Sequence, residues 1–193
     1  MPPTVAALLT DIAATLRNVA EGPYADSVNG AVDLLATAMS EGRTLFAFGN
    51  GGSAADAEHL CTELVGRFGP EQRRALPAIA LTTNQALLTA WGNDHGFDDV
   101  FARQIEALGR RGDVALGIST SGNSPNVVNA MGRARELGLK TIGLTGQGGG
   151  RMAASCDVLM AVPLTETPRI QEVHLVTYHT ICALLEARLF PSV

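Results

Sequence analysis

Lysine is nearly absent from this chain. Among 193 residues Lys140 is the only one. It stands in Leu139-Lys140-Thr141, just ahead of an apolar run, which argues against a Schiff-base centre. Cysteine is scarce: Cys61, Cys156 and Cys182 are odd in number and have no close pairing, as expected of free thiols in a reducing compartment. Positive charge is in deficit, with 14 Lys and Arg against 19 Asp and Glu for a net charge of −5, so there is no electrostatic footprint for nucleic acid. No apolar run approaches the roughly 20 residues that span a bilayer. The first residues lack the basic lead of a signal peptide and carry Asp11 early. A cytoplasmic protein with no membrane or nucleic-acid partner is expected. An anionic ligand has to be held locally, by backbone amides and hydroxyls.

What is present suits a soluble globular protein, 46% hydrophobic and 17% charged. The length fits one domain, residues 1–193, with enough core to fold without staples. Residues 1–41 read as a helical hairpin: Val5, Leu8, Leu9, Ile12, Leu16 and Val19 recur at helical spacing, as do Val28, Ala31, Val32, Leu35 and Met39, with Gly22-Pro23 between them. Its apolar stripes either cover the domain or pair with another subunit. Residues 42–193 form the core. Candidate strands are Thr44–Phe48, Ala78–Leu81, Val114–Ile118, Thr141–Leu144 and Val158–Val162, apolar runs without clean alternation, as in parallel strands buried on both faces. Between and after them the pattern predicts helices over Ala54–Val65, Phe97–Leu108, Pro125–Leu137 and Pro168–Leu189, the last capped by Thr167. The order βαβα implies a doubly wound parallel sheet, with ligands beyond the carboxyl ends of its strands.

The polar loops fall at those ends. Ser119-Thr120-Ser121-Gly122-Asn123-Ser124-Pro125 offers four hydroxyls in its first six residues. Gly122 permits a tight path, and Ser124 caps a helix that opens on Pro125, so hydroxyls, free amides and the helix dipole converge on one point suited to a phosphate monoester. An ordinary Ser-rich turn is the plain alternative; its place beside a second glycine-rich loop favours the pocket. That second loop, Gly49-Asn50-Gly51-Gly52-Ser53-Ala54, matches a dinucleotide fingerprint only weakly, because the next strand ends in Thr82-Thr83-Asn84 with no acidic residue for a ribose. There is no Walker A motif. We read Ser53 as an N-cap with Asp56 completing a capping box, and Asn50 and Ser53 as facing the ligand.

His59 and Glu63 share one helix face at a spacing of four. Gln171 and His179 lie on the last helix. Two imidazoles, a carboxylate and an amide can hold a divalent metal or run acid–base chemistry. Equally, the first two form a surface pair, Gln171 a polar first-turn residue, and His179 a core histidine. His174 reads as a supporting or surface residue and His95 as a loop residue beside Asp94. Gln171 and His179 are eight residues apart, roughly 12 Å along a helix and about 80° around it. A shared metal has to lie between them, or a neighbouring subunit supplies one ligand.

Taken together, the helical lead, Phe48–Ser53, Asp56, His59, Glu63, Asn93-Asp94, Ser119–Ser124 and Arg169-Ile170-Gln171-Glu172 resemble the phosphoheptose isomerases of the sugar-isomerase (SIS) domain superfamily, over nearly the whole chain. The resemblance implies a three-layer αβα sandwich with a five-stranded parallel sheet, assembled as a homotetramer with active sites between subunits. It implies sedoheptulose 7-phosphate as substrate and D-glycero-D-manno-heptose 7-phosphate as product, for heptose nucleotide synthesis. It implies one Zn2+ per subunit on His59, Glu63, Gln171 and His179, with Glu63 and His179 as the acid–base pair. Asn50, Gly51, Gly52, Ser53, Glu63, Asn93, Asp94, Ser119, Thr120, Ser121, Ser124 and Gln171 would surround sugar and phosphate. A sister subfamily that binds the replication initiator without isomerising sugars lacks the second-helix histidine; His179 favours the enzyme over that binding module. Pro168 stands where many members carry an acidic residue, which leaves the preferred sugar open.

Overall fold

Short runs of Leu, Ile, Val, Ala and Phe pair as five parallel strands in a computed structural model that describes residues 4–69 and 73–191. They are β1 (Leu45–Gly49), β2 (Ala78–Ala80), β3 (Val114–Ser119), β4 (Lys140–Thr145) and β5 (Val158–Ala161). Their spatial order is β2-β1-β3-β4-β5. The order reverses between β1 and β3, the switch point at which sheets of this kind leave a crevice. There Gly49 pairs with Ile118, so the glycine turn after β1 and the hydroxyl loop after β3 leave the sheet side by side. β1 and β3 are buried throughout, as continuous apolar strands should be. The two edge strands depart from that expectation: Ile79 of β2 is exposed and β5 is only partly buried, because each edge lacks a neighbour on one side.

The helices are α1 (Val5–Ala20), α2 (Tyr24–Ser40), α3 (Gly52–Val65), α4 (Gln85–His95), α5 (Val100–Leu108), α6 (Pro125–Glu136) and α7 (Thr167–Leu189). Successive strand residues face opposite sides. Leu45 and Ala47 join one core with Leu35, Leu60, Leu64, Tyr178 and Leu185 of α2, α3 and α7. Phe46 and Phe48 join the other with Phe101, Ile105, Val127 and Met131 of α5 and α6. The result is the expected three-layer αβα sandwich behind a helical hairpin. Of the hairpin, α2 packs on α7 and β5, whereas α1 buries only Val19 and leaves Val5, Leu8 and Leu9 exposed. Among the described residues no helix is long and apolar enough to cross a membrane.

Three local readings need correction. Residues 85–95 are a helix rather than a loop, so His95 ends α4 and stacks on Trp91 with ring centroids 4.1 Å apart. This helix buries no residue, so it leaves no apolar period to read; its signal is Asn84, whose Oδ1 accepts the Leu87 amide at 3.2 Å as an N-cap. The helix expected over 97–108 is a 3-10 turn, Phe97–Asp99, followed by α5, with the break at Asp99, φ −118° and ψ 9°. α7 begins at Thr167, with Glu166 rather than Thr167 as N-cap.

Candidate active site

The hydroxyl loop folds into a nest. The Gly122 amide donates to Ser119 O at 3.0 Å and the Asn123 amide to Ser121 Oγ at 3.1 Å. Gly122 sits at φ 63°, and a Cβ there would overlap the Gly149 carbonyl of the next loop. That second loop closes on the first: Met152 donates to Gly122 O at 2.9 Å and Arg151 to Asn123 Oδ1 at 3.0 Å. Ser124 is the N-cap of α6 in position but not in bonding. Its hydroxyl lies 3.0 Å from Ser119 Oγ and makes no bond to the helix amides. Asn126 Oδ1 accepts the Val127 amide instead, at 2.9 Å. The hydroxyls of Ser119 and Ser124 therefore stand together at the start of α6, where the helix dipole is positive.

The glycine turn lies against it. Asn50 and Asn126 exchange a reciprocal pair of amide hydrogen bonds, both 2.9 Å, joining the starts of α3 and α6. The expected capping box does not form. Gly51 is the N-cap, Ser53 is buried inside the first turn, and Asp56 turns toward Tyr178. A turn this tight starts the helix before Ser53, which leaves the box no position to occupy. A Cβ on Gly52 would stand 2.6 Å from Gln171 Nε2, so a bare glycine lets the Gln171 amide of α7 lie on this turn.

Behind the nest, one buried histidine supports the neighbouring loop. His174, 0% exposed, rules out the surface reading. Its Nε2 lies 3.2 Å from Thr145 O. The next residue, Gly146, donates to Thr120 O at 3.0 Å. Burial pushes the imidazole pKa down to about 4, partly opposed by that backbone contact. The unfolded chain therefore binds a proton that the folded one refuses, and stability falls with pH across the window between the two values. The expected loss from His174 is about 3 kcal/mol on going from about pH 6.5 to about pH 4. Denaturant titrations should show this slope in the wild type and a flatter one in His174→Gln.

Along the same two helices sits a second cluster. His59 Nε2 is 3.1 Å from Glu63 Oε1 and 3.5 Å from His179 Nε2. On its other side His59 Nδ1 lies 3.0 Å from Tyr178 Oη, and Tyr178 donates to Asp56 Oδ1 at 3.4 Å. Both ring nitrogens of His59 are thus engaged, Nδ1 by the Tyr178 hydroxyl and Nε2 by the Glu63 carboxylate. Burial raises the pKa of Asp56, with the Tyr178 hydroxyl and His59 pulling the other way. The His59–Glu63 and His59–His179 separations, 3.1 and 3.5 Å, are each close to the roughly 3.3 Å between neighbouring ligands of tetrahedral zinc, but among the described residues no three His, Cys, Asp or Glu form a group that could hold a metal.

Within one chain the two clusters lie apart. Gln171 lies at Gly52 and His179 at His59. Ser53 and Glu63 are ten residues apart on α3, roughly 15 Å along its axis. Asn93 and Asp94 sit exposed on α4, Asn93 Nδ2 donating to Asp94 Oδ1 at 2.9 Å. Sequence reasoning missed Tyr178 and Asn126. Tyr178 was readable as the residue seven positions after Gln171, on the same helix face; nothing local marks Asn126.

Strand order, crevice and nest define a SIS domain protein, and the family model described as SIS domain matches residues 8–146. Among relatives, a phosphoheptose isomerase of Geotalea daltonii is 59% identical over 159 residues, 82% of each chain. One of Geobacter sulfurreducens is 50% identical over 190 residues, 95% of this chain and 100% of its own. The structure of phosphoheptose isomerase GmhA from Neisseria gonorrhoeae superposes with a TM-score of 0.88 at 41% identity, covering 95% of this chain and 97% of that one. The chain belongs to the phosphoheptose isomerase family.

Proposed function

We propose that this chain converts sedoheptulose 7-phosphate into D-glycero-D-manno-heptose 7-phosphate, a step toward heptose nucleotides. The observation that carries the proposal is the contact chain Glu63–His59–His179 between α3 and α7, in a chain whose relatives of that name match it nearly end to end. Ketose-to-aldose conversion moves a proton from C1 to C2 and redistributes protons on two oxygens, through an enediol. Glu63 takes the C1 proton and returns it at C2. His179 exchanges the proton on oxygen. Ser119, Thr120, Ser121 and Ser124, with the amides at the start of α6, hold the phosphate. Asn50, Gly51, Gly52, Ser53 and Gln171 line the sugar, and Asn93 and Asp94 reach it from α4.

A divalent metal, zinc by the chemistry of the donors, would be held by His59, Glu63 and His179, with Gln171, which in one chain lies at Gly52, brought as the fourth ligand by a neighbouring copy. When bound it supplies a Lewis acid that polarises the sugar carbonyl and stabilises enediolate charge. We place the working site between copies of a cytoplasmic homotetramer. Supporting this are the separation of the two clusters in one chain and a groove of about 370 Å³ between α1, α2 and α7, lined by Leu16, Val28, Val173, Val176 and Leu184.

Incubation of the protein with sedoheptulose 7-phosphate should yield the aldose, faster without chelator than with it. Binding of the ketose with no aldose formed would instead identify a phosphosugar-binding module.

A further inference from the structure

We propose that Arg73 and Glu186 are positioning residues that set the geometry between Glu63 and His179. The role rests on the isomerase reading above, but the contacts stand without it. Both side chains are buried, Arg73 at 1% and Glu186 at 5% exposure, and they pair directly through Arg73 Nε and Glu186 Oε1. The rest of the guanidinium grips the end of α3. Nη2 donates to the carbonyl of Glu63 itself at 2.6 Å, and Nη1 donates to Leu64 O at 2.9 Å and to Arg74 O at 3.0 Å. Helix C-termini leave carbonyls without partners; here one arginine supplies the partners and ties them to α7.

Glu186 completes the link from the other side. It lies seven residues after His179, on the same face of α7. Its Oε1 accepts the Phe68 amide at 3.0 Å and its Oε2 the Gly69 amide at 2.8 Å. The turn so fixed places the Phe68 ring on His179, with centroids 5.4 Å apart and planes at 50°. One ion pair therefore holds the backbone of the carboxylate residue and the aromatic wall of the imidazole residue. Burial alone would raise the pKa of Glu186; the two amides and Arg73 outweigh it and keep the carboxylate ionised. Buried ion pairs are often matched in stability by apolar residues of the same volume, so stability alone does not explain this one. Registry between two helices does. The forked donors of arginine suit that task, and a single ammonium does not reproduce them.

The test uses the full chain with R73K and E186Q. Each is measured for thermal unfolding, for kcat and KM on sedoheptulose 7-phosphate well below its unfolding temperature, and for the ring nitrogen NMR signals of His179. We expect kcat to fall about 10- to 100-fold, the size of effect that follows an ångström-scale misplacement. KM should stay within about threefold, since the nest is untouched, and the His179 signals should shift. Wild-type kcat with unchanged His179 signals, whatever happens to the unfolding temperature, overturns the proposal. If R73K does not fold, E186Q decides by the same readings. If the wild type itself does not turn over the ketose, the functional reading fails, and the His179 signals still decide whether the pair positions that ring.

Discussion

Glu63→Gln should abolish turnover while leaving sugar-phosphate binding close to wild type. The substitution keeps the shape of the side chain and its contact with His59, 3.1 Å away in the native protein, but removes the group proposed to accept the C1 proton. A positioned base accounts for about 10²- to 10⁴-fold in rate, and that is the expected fall in kcat. Affinity is expected to survive because the proposed phosphate site, the nest and the glycine turn, lies at the other end of α3. Calorimetric binding of the sugar phosphate beside a turnover assay separates the two quantities. Near-normal turnover in this variant would remove Glu63 from the base role.

The second large effect is expected at Gly122. Alanine there has to adopt φ 63°, which costs about 1–2 kcal/mol for an L-residue. Its methyl also overlaps the Gly149 carbonyl, so the two loops must part, a strain of about 1–3 kcal/mol in a packed setting. Parting them breaks the Met152 and Arg151 bonds that hold the nest. Gly122→Ala should therefore unfold several degrees lower and show a KM for sugar phosphate raised at least about tenfold, a loss of roughly 1.4 kcal/mol in binding. A variant with wild-type KM and thermal midpoint would mean that the nest does not depend on this contact.

Much of this architecture can be read from residue patterns because the relevant forces act over short sequence distances. β1 and β3 are almost wholly apolar and buried throughout, and burial on both faces demands nothing else of a parallel strand. The nest is legible for a similar reason: its hydroxyls, glycine and proline are consecutive. α4 is hidden because it buries nothing, and the capping box fails because Gly51, not Ser53, ends the turn. Arg73 and Glu186 are 113 positions apart; only the hint of a charge among Ile181, Cys182 and Leu185 marks one of them. Pair contacts of that range are set by topology, which no local window contains.

The proposed phosphate pocket is made of dipoles rather than lysines, and this would govern how the ligand arrives. A protein with a net charge of −5 does not draw in a dianion from a distance, so electrostatic steering contributes little to encounter. Capture begins only at contact, where amides and hydroxyls replace the ligand's hydration shell. Such recognition is local and largely indifferent to ionic strength, since screening acts on charges separated by about a Debye length of 8–10 Å and not on groups already touching.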